Sequence, residues 1–345
     1  MPNLDVGDRF RPLVYATMTD HTRPRAFSGV QPTGALHLGN YLGANRNWVK
    51  LQETTDGIYC IVDLHALSVP REPGEVRQAT LEMAADLLAI GIDPQRSILF
   101  VQSQIREHTE LAWHLQCVAS FGELRRMTQF KDKSEHAEFV SAGLFTYPTL
   151  QAADIVLYDT DVVPVGDDQR QHIEFTRDIV TRFNARFGDT LVLPRHQIPE
   201  AGARIMDLQH PENKMSKSAD SPLGTVLLTD TPAEIERKFK RAVTDNDAEV
   251  RFDPVDKPGV SNLLTVLAVA TDSDPDTVAK GYTQYGPLKA DAAAALVEML
   301  RPVQKRRAEI DPASTAELLH VGAAKAQDIA QTVMKRVRDA VNLLS

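Results

Sequence analysis

The sequence predicts an α/β protein with a doubly wound parallel sheet, followed by an all-helical C-terminal domain. Short and almost continuously apolar runs alternate with helical patterns through the first half of the chain. Parallel strands are buried on both faces and are joined by helices, so this alternation is typical of a parallel sheet. Beyond about residue 230 the strand-like runs stop, and helical patterns occupy most of the remaining chain.

The length and composition fit a globular protein of two domains. The 345 residues are 43% hydrophobic and 25% charged. The net charge of −9 disfavours a non-specific nucleic-acid binder, which would carry a basic face, but it permits an RNA bound through a local patch. Since no apolar run approaches the roughly 20 residues that cross a bilayer, we expect a cytoplasmic protein without membrane contact.

The N-terminal residues and the cysteines are consistent with that compartment. Residues 1–24 carry three aspartates and lack an apolar core, so we interpret them as a loose extension rather than a secretory signal or transit peptide. Cys60 and Cys117 form no CxxC pair and lie in apolar surroundings, which predicts two buried thiols in a reducing cytoplasm. The histidines include no HExxH pairing, so we expect no metal held by protein side chains.

The first predicted strand leads into a turn that suits an anion. Residues 25–31 are predicted as a strand, residues 31–34 (Gln-Pro-Thr-Gly) as a turn, and a helix is expected from about residue 36. Backbone N–H groups at the start of such a helix face a bound phosphate. Residues 34–39 have the spacing of a P-loop, but Asn40 follows where a lysine is required, so the P-loop interpretation fails.

Further strands and helices complete the predicted sheet region. Strands are predicted at residues 58–62, 97–101 and 162–165, and helices at residues 75–90, ended by Gly91, and from residues 166–169 onward. His65 follows the second strand at its carboxyl end, where open α/β sheets bind ligands. A structural role and a role in a site are equally consistent with that position.

Asp154 is the unusual residue of a small and apolar segment. Residues 143–148 are predicted as a turn and residues 150–158 as a helix. A buried carboxylate must be paired or matched to a ligand. Asp154 therefore indicates either an ion pair or cap within the fold, or a binding site.

Two acidic residues at a predicted helix start also have two interpretations. Capping of the first N–H groups accounts for Asp167 and Asp168 structurally. In the functional interpretation, Gly166 lets the backbone approach a nucleotide closely, and Asp168 binds its ribose hydroxyls as acidic residues do in dinucleotide folds.

Residues 214–218 (Lys-Met-Ser-Lys-Ser), the lysine loop, form the most informative segment. Pro211, Pro222 and Gly224 surround it, which indicates irregular backbone. Two ammonium groups three residues apart, with neighbouring hydroxyls, suit a mobile clamp on a triphosphate. A solvated loop without function is the alternative, and by itself this segment does not decide between them.

The C-terminal third is predicted to be helical. Residues 231–234 (Thr-Pro-Ala-Glu) form a capping box with proline at the first helical position, and the helix that follows carries a basic run at residues 237–241. A helix near residues 289–307 is expected to kink at Pro302, and residues 314–317 are expected to cap the last helix.

A basic cluster at residues 125–133 is, without a wider pattern, interpreted as a solvated face.

Residues 37–40 (His-Leu-Gly-Asn), the histidine turn, resemble the HIGH motif of class I aminoacyl-tRNA synthetases, with Asn in the last position. The lysine loop resembles the KMSKS motif of the same enzymes and follows in the right order. With the segments at 27–34, 61–66, 127–131, 146–148, 152–155 and 163–169, the sequence from about Arg25 onward resembles the bacterial tryptophanyl-tRNA synthetase family.

The resemblance implies an architecture and partners. Residues 25–222 would form a Rossmann-type catalytic domain, on which the helix at about 314–345 packs, and residues 223–313 a helical anticodon-binding domain. The extension at residues 1–24 stays outside both. The implied assembly is a cytoplasmic homodimer that binds tRNA(Trp), L-tryptophan and ATP.

The resemblance also implies residue roles. ATP would contact Gln31, Pro32, Thr33, His37, Gly39, Asn40, Gly166, Asp168, Ile205, Lys214, Met215, Ser216, Lys217 and Ser218. Tryptophan would contact Phe27, Gly29, His65, Tyr147, Gln151, Asp154, Val163, Val165 and Gln169. Lys214, Lys217, Lys133 and Gln31 would act in catalysis, with Mg²⁺ carried by the ATP phosphates. Relatives commonly have Met in place of Gln151, so the wall of the indole pocket differs there.

The implied reaction joins tryptophan to AMP with release of pyrophosphate and then transfers the tryptophanyl group to the 3′-terminal adenosine of the tRNA. Three alternatives stay open. A tyrosyl-tRNA synthetase shares the fold, although residues 166–169 and Asp154 favour tryptophan. A non-catalytic paralogue that senses tRNA or amino acid would not need the lysine loop. A small-molecule adenylyltransferase would not need the basic helix at residues 237–241.

Overall fold

A computed structural model describes residues 22–135, 139–166, 169–197, 204–216, 221–247 and 249–344, except for the side chains of residues 132, 133 and 135. The predicted N-terminal extension lies outside the described residues up to residue 21. Within the described ranges no helix is long and apolar enough to cross a membrane.

Five parallel strands form one sheet in the order β3-β2-β1-β4-β5. They are β1 (Arg25–Val30), β2 (Asp56–Ile61), β3 (Ile98–Val101), β4 (Val162–Pro164) and β5 (Arg195–Gln197). The chain begins in the middle, adds two strands on one side, and then adds two on the other. This is the doubly wound topology, so the predicted fold class is confirmed. The switch point lies between β1 and β4, where such sheets bind ligands.

Each central strand supplies side chains to two apolar cores. Ile58 and Cys60 of β2 belong to one core, and the intervening Tyr59 and Ile61 belong to the other. Successive side chains point to opposite faces of a sheet, so an uninterrupted apolar run requires cover on both faces. Strand β5 consists of three exposed polar residues at the sheet edge, and because it lacks this apolar signal it was not predicted.

Helices cover both faces and form the C-terminal part. The helices are α1 (Leu38–Asn40), a π-helical turn (Tyr41–Asn45), α2 (Arg46–Leu51), α3 (Asp63–Ala66), α4 (Glu75–Ile90), α5 (Glu107–Gln116), α6 (Phe121–Arg126), α7 (Thr128–Glu135), α8 (Ala142–Val156), α9 (Arg170–Phe187), α10 (Pro232–Lys240), α11 (Pro258–Ala270), α12 (Pro275–Ala279), α13 (Tyr285–Glu309) and α14 (Pro312–Val341), with a 3₁₀ turn at Gln102–Gln104.

Two predicted helix boundaries are confirmed in detail. Helix α4 has the predicted bounds, and Gly91 ends it with a φ of 113°, a conformation that glycine adopts without steric cost. Helix α10 begins with the predicted capping box: the Thr231 hydroxyl accepts the Glu234 N–H, and the Glu234 carboxylate accepts the Thr231 N–H.

The predicted turn at residues 143–148 is wrong. Helix α8 begins at Ala142, where the Ser141 hydroxyl caps it by accepting the Leu144 N–H at 3.0 Å, and it continues through Pro148. Proline weakens a helix interior by removing a donor. The buried face of α8, with Leu144, Pro148 and Ala152, packs against α5, and this packing outweighs the local preference.

Two other expectations are also wrong. The last helix begins three residues earlier than predicted, because Asp311 caps it by accepting the Ser314 N–H at 2.8 Å and Pro312 occupies the first helical position. Cys117 is exposed, since it lies at the solvent-facing end of α5, whereas Cys60 is buried in the sheet as predicted.

The final helix returns to the sheet. Helix α14 packs against β3, where Gly322 lies so close to the Leu99 carbonyl oxygen that a methyl group would overlap with it. Helix α13 packs against α10 and α11, and it also contacts α4. The C-terminal helices are therefore joined to the sheet layer at β3 and at α4.

Candidate active site

The candidate site lies at the carboxyl ends of β1, β2 and β4, beside the switch point. Helix α8 crosses this edge and contributes Asp154, a carboxylate with 1% of its surface exposed. Asp154 accepts three hydrogen bonds. Gln102 Nε2 at 2.6 Å and His108 Nδ1 at 2.7 Å donate to Oδ1, and His65 Nε2 at 2.8 Å donates to Oδ2. These residues form the Asp154 network.

The network keeps Asp154 charged. Burial by itself would raise the pKa of this carboxyl, but the adjacent His65 and His108 outweigh that effect and lower the pKa to about 2. The question that the sequence left open, whether the buried carboxylate is paired within the fold, is answered: it is paired. Pairing does not use all of its acceptor capacity.

One acceptor position remains on Asp154 with respect to the described residues. Each carboxylate oxygen has two lone pairs, so two donors fill Oδ1 whereas one donor leaves a position on Oδ2. His108 Nε2 lies 2.8 Å from the Tyr158 hydroxyl, and burial raises the pKa of that hydroxyl well above its usual range. With its proton on Nδ1, facing Asp154, a neutral His108 would accept the Tyr158 O–H at Nε2.

Gln102 and His108 are site residues that the sequence analysis missed. Both are fully buried, and both follow β3 at its carboxyl end, in the 3₁₀ turn and the first turn of α5. A buried strand followed by polar residues is the same pattern that singled out His65 after β2. Applied to β3, it would have pointed to Gln102.

Aromatic and aliphatic side chains surround the network. Phe27 of β1 stacks on Tyr158 with ring centroids 5.7 Å apart, and Val163 of β4 is buried in the same core. Val165 is half-buried against that core. Gly29 is exposed at the end of β1, and a methyl group there would lie 3.2 Å from Val62 Cγ1.

Tyr147, Gln151 and Asp154 follow one another along the same face of α8, at helical spacings of four and three residues. The Tyr147 hydroxyl lies 2.7 Å from His172 Nε2. Gln151 Nε2 donates to Gln169 Oε1 at 3.3 Å, where Gln169 precedes α9. The structure thus brings the predicted tryptophan-binding side chains of α8 and α9 together.

The histidine turn begins α1. The Asn40 N–H donates to His37 Nδ1 at 3.3 Å, so the imidazole caps its own helix. Two backbone N–H groups fix the histidine turn and the residue before it: Leu38 N–H donates to the Val226 carbonyl at 2.8 Å, and Leu36 N–H donates to the buried Asp86 carboxylate at 3.0 Å. Pro32 and Gly39 are buried, whereas Gln31, Thr33 and Asn40 are exposed.

The first half of the lysine loop is held in a two-stranded ribbon. Met206 and Lys214 form an antiparallel bridge, Met215 N–H donates to the Ile205 carbonyl at 3.0 Å, and Asp207 N–H donates to the Asn213 carbonyl at 2.9 Å. Ile205 and Met215 are buried, whereas Lys214 is exposed. The Ser216 carbonyl accepts the Thr225 hydroxyl at 2.6 Å.

The two segments meet at Gly39. A methyl group placed on Gly39 would lie 3.3 Å from Met215 Cβ and 3.1 Å from the His37 ring. Residues 176 positions apart in the chain are therefore in contact, and glycine is the residue that lets the helix start approach the lysine loop this closely.

Several predicted residues lie outside the described part of the chain. These are Asp167, Asp168, Lys217 and Ser218, together with the side chain of Lys133. Gly166 is exposed just beyond β4. Among the described residues, no group of three or more His, Cys, Asp or Glu side chains could hold a metal ion.

A cavity of about 250 Å³ borders the site between α3, α5 and α8. His65 and Tyr147 line it together with Leu64, Leu67, Ala112 and Leu150. The His65 and Tyr147 rings also contact each other edge to face, with their centroids 6.2 Å apart. The two predicted tryptophan-binding residues therefore connect the site with this cavity.

The family model of class I tRNA synthetases (W and Y) matches residues 19–301, and the chain belongs to this family. The resemblance found in the motifs is confirmed, and with it the class of enzyme. The chain is 49% identical over 322 residues to the tryptophan–tRNA ligase of Caldanaerobacter subterraneus subsp. tengcongensis, covering 93% of this chain and 98% of that protein. It is also 49% identical over 331 residues to that of Mycobacterium leprae, covering 93% and 96%.

Solved structures show the same relationship. The tryptophanyl-tRNA synthetase of Mycoplasma pneumoniae is 35% identical, with a TM-score of 0.88 over 94% of this chain and 99% of that one. The Campylobacter jejuni enzyme, solved with ADP and tryptophan, is 32% identical, with a TM-score of 0.80 over 92% and 100%. A tyrosyl-tRNA synthetase of Aeropyrum pernix shares the fold at 22% identity, with a TM-score of 0.64.

Proposed function

We propose that this chain is a tryptophan–tRNA ligase. It activates L-tryptophan with ATP, releases pyrophosphate, and transfers the tryptophanyl group to the 3′-terminal adenosine of tRNA(Trp). The observation that carries the proposal is the contact of Gly39 with Met215, which joins the histidine turn and the lysine loop beside the switch point. The names of the 49% identical relatives and the ADP and tryptophan bound to the Campylobacter enzyme support this choice of substrates.

Asp154 is the proposed reader of the indole ring. The indole N–H is a donor without acceptor capacity, and it matches the remaining acceptor position on Asp154 Oδ2. Phe27, Gly29, Val163 and Val165 form the walls of the slot, and His65 holds Oδ2 in place. An amino acid without this N–H would leave a buried carboxylate position unpaired, which is how such sites reject analogues.

Tyr147 and Gln169 are the proposed partners of the amino group of tryptophan. Both offer oxygen atoms, and the Gln151 amide orients Gln169 by donating to its oxygen at 3.3 Å. A methionine, which relatives commonly carry in place of Gln151, could not donate this hydrogen bond. Gln151 would therefore contribute through Gln169 rather than by filling the indole pocket.

The ATP site is proposed on the other side of β1. Gly39 would pack under the adenine, with Ile205 and Met215 as apolar neighbours, while Gly166 and Asp168 would bind the ribose. The remaining proposed contacts are with the phosphates: Gln31, Pro32, Thr33, His37, Asn40, Lys214, Ser216, Lys217 and Ser218. The exposed positions of Gln31, Asn40 and Lys214 support this, because those groups face the solvent from which ATP enters.

The chemistry needs no nucleophilic side chain. The tryptophan carboxylate attacks the α-phosphorus in line, the bond to the bridging oxygen breaks, and pyrophosphate leaves with the electron pair. Catalysis then consists of positioning and of stabilising negative charge on the leaving group. Lys214, Lys217, Lys133 and Gln31 are proposed for that stabilisation. Mg²⁺, whose preferred ligands are phosphate and water oxygens, would enter with ATP and add positive charge.

The direct test is tryptophan-dependent exchange of pyrophosphate into ATP, with tyrosine measured side by side, followed by charging of tRNA(Trp). We expect exchange with tryptophan alone and transfer to the tRNA. Exchange with tyrosine would make the chain a tyrosyl-tRNA synthetase. Exchange without tRNA charging would favour a small-molecule adenylyltransferase, and absence of exchange in the folded protein would favour a sensor.

The proposal extends to the assembly and the domains. We infer a cytoplasmic homodimer, a catalytic domain at residues 25–222 and an anticodon-binding domain at residues 223–313. Leu67, Trp113, Phe121, Phe139 and Val140 are large exposed hydrophobic residues, and together they define the apolar face. Large exposed apolar patches mark interaction sites, and a second copy of this chain is the proposed occupant.

Two observations bring segments of the apolar face near one another. Leu67 lines the cavity beside α5, which carries Trp113, and the Ser141 hydroxyl donates to the Ser68 carbonyl at 2.9 Å. Sedimentation should give a mass near twice 38.2 kDa for the native chain. Trp113→Glu should shift it towards the monomer, while Val255→Glu, at an exposed valine of the helical part, should not. A native monomer would contradict the dimer.

A further inference from the structure

Asn262 of α11 binds both backbone groups of one distant residue. Its side chain is buried, with 4% of the residue exposed. The Met206 N–H donates to Asn262 Oδ1 at 2.9 Å, and Asn262 Nδ2 donates to the Met206 carbonyl at 2.9 Å. The amide of Asn262 therefore takes the place of a neighbouring strand along Met206.

Met206 is a central residue of the ribbon that carries Lys214. In this ribbon the flanking residues make the cross-strand bonds, Met215 to Ile205 and Asp207 to Asn213. In an antiparallel pair of that kind, the residue between them turns its own N–H and C=O away from the partner strand. Without Asn262 both groups of Met206 would lose these partners in a partly buried place, which costs free energy.

We propose that Asn262 is a positioning residue for the lysine loop. By holding Met206, it fixes the ribbon on which Lys214 stands, and so determines where the Lys214 ammonium group reaches the ATP phosphates. This inference rests on the proposed function, in which Lys214 binds the phosphates of ATP. It assigns the alignment of Lys214 to α11, a helix outside the sheet.

A second anchor holds the other side of the loop. The Ser216 carbonyl accepts the Thr225 hydroxyl, and the Thr225 carbonyl accepts Lys238 Nζ of α10 at 2.8 Å. Lys238 is itself buried and paired with Asp230 at 2.5 Å. The base of the loop is therefore fixed from α10 and α11, while the Lys214 side chain is exposed.

The test measures pyrophosphate exchange in the full-length chain. Asn262→Leu keeps the size of the side chain and removes both hydrogen bonds to Met206. We expect the turnover number to fall about 10- to 100-fold, the range that follows misplacement of a catalytic group by about 1 Å. The KM for tryptophan should change by less than about twofold, because the Asp154 network is untouched. Thr265→Val is the matched control, since that hydroxyl bonds within α11, to the Ser261 carbonyl.

Double-mutant analysis separates positioning from stability. If Asn262 acts through Lys214, Asn262→Leu should lower the turnover number by less than about threefold in the Lys214→Ala background. Equal factors in both backgrounds, or an unchanged turnover number in Asn262→Leu, would overturn the inference.

Asn262→Asp, which keeps the acceptor for the Met206 N–H, provides the same comparison if Asn262→Leu does not fold, with the same two outcomes. The failure of the inference is distinguishable from that of the proposed function. In the first case the native chain catalyses exchange and the variants behave alike in both backgrounds. In the second case the native chain itself lacks exchange.

Discussion

The Asp154 network and the lysine loop differ in how the fold holds their charged groups. Asp154 is buried, and three donors within hydrogen-bonding distance fix its carboxylate. Lys214 is exposed, and among the described residues the ribbon with residues 205–207 fixes the backbone beneath it. Hydrogen bonds therefore fix the Asp154 carboxylate itself, whereas at Lys214 they fix the backbone.

This difference matches two separate tasks. Recognition of a rigid indole ring benefits from an acceptor that is oriented before the substrate arrives, because little reorganisation is then required. Stabilising a leaving group requires contacts that strengthen as charge develops, and a flexible side chain on a fixed base can make them late. We therefore propose that the Asp154 network sets selectivity and that the lysine loop sets the rate.

The largest effect is expected for Lys214→Ala. Loss of a charged group that acts mainly in the transition state should lower the turnover number of pyrophosphate exchange by about 10²- to 10³-fold. The dissociation constant of tryptophan, measured by equilibrium dialysis, should stay within about twofold. Lys280→Ala, at another exposed lysine, should change neither quantity. An unchanged turnover number in Lys214→Ala would remove this residue from the mechanism.

Asp154→Asn should have the next largest effect, on selectivity. If the amide oxygen of the introduced asparagine keeps the two donors of Oδ1, the amide NH₂ group takes the place of Oδ2. That donor group would then face two other donors, His65 Nε2 and the indole N–H. Discrimination of tryptophan from phenylalanine should fall by about 1–3 kcal/mol, the cost of an unpaired buried donor. Asp159→Asn weakens a different partly buried ion pair, with Arg336, and should leave discrimination unchanged. Equal discrimination in Asp154→Asn would mean that the pocket reads shape alone.

Gly224→Ala tests the positioning of the ribbon beneath the lysine loop at a second contact, between Gly224 and Asp207. A methyl group at Gly224 would overlap with the Asp207 carboxylate, which caps the turn between the two strands of the ribbon by accepting the Gln209 N–H at 2.7 Å. The exchange turnover number should fall about tenfold through displacement of the ribbon, with tryptophan binding preserved. Gly286→Ala is the control, because a methyl group there meets nothing within 4 Å. A loss of tryptophan affinity as large as the loss of turnover would argue against a separate ribbon.

The smallest effect is expected for Tyr158→Phe. This change removes the hydroxyl that lies 2.8 Å from His108 Nε2 and so helps to hold the His108 ring against Asp154, and it should weaken tryptophan binding about two- to tenfold. The matched control is Tyr59→Phe, which removes a buried hydroxyl bonded to the Trp48 carbonyl at 2.8 Å. Both variants should lose similar stability in denaturant titrations. Weakened tryptophan binding in both would show a general effect of lost stability rather than an effect of the network.

Local patterns were sufficient for much of the fold. The strands of the doubly wound sheet follow from apolar runs that require cover on both faces, and the capping box at Thr231 follows from four adjacent residues. The helical course of residues 143–148 could not be predicted in this way, because Pro148 is locally unfavourable there and packing against α5 decides the outcome. The start of α14 was misplaced because two capping signals lie three residues apart.

The site was predictable to a different degree. Asp154 was identified as a residue in need of a partner, since charge in an apolar segment is visible in one sequence. Its partners Gln102 and His108 come from another element and were not identified. The contact of Gly39 with Met215 and the bonds from Asn262 to Met206 join segments far apart in the chain. Such contacts depend on the tertiary fold, and no local spacing encodes them.

The most direct test of this separation compares Asp154→Asn with Lys214→Ala in one experiment. Rapid-quench measurement of tryptophanyl-adenylate formation in a single turnover gives the rate constant at saturation and the tryptophan concentration at half-saturation. We expect Asp154→Asn to raise mainly the half-saturating concentration, and Lys214→Ala to lower mainly the rate constant. If both variants change both quantities by similar factors, recognition and rate are not carried by separate parts of the site.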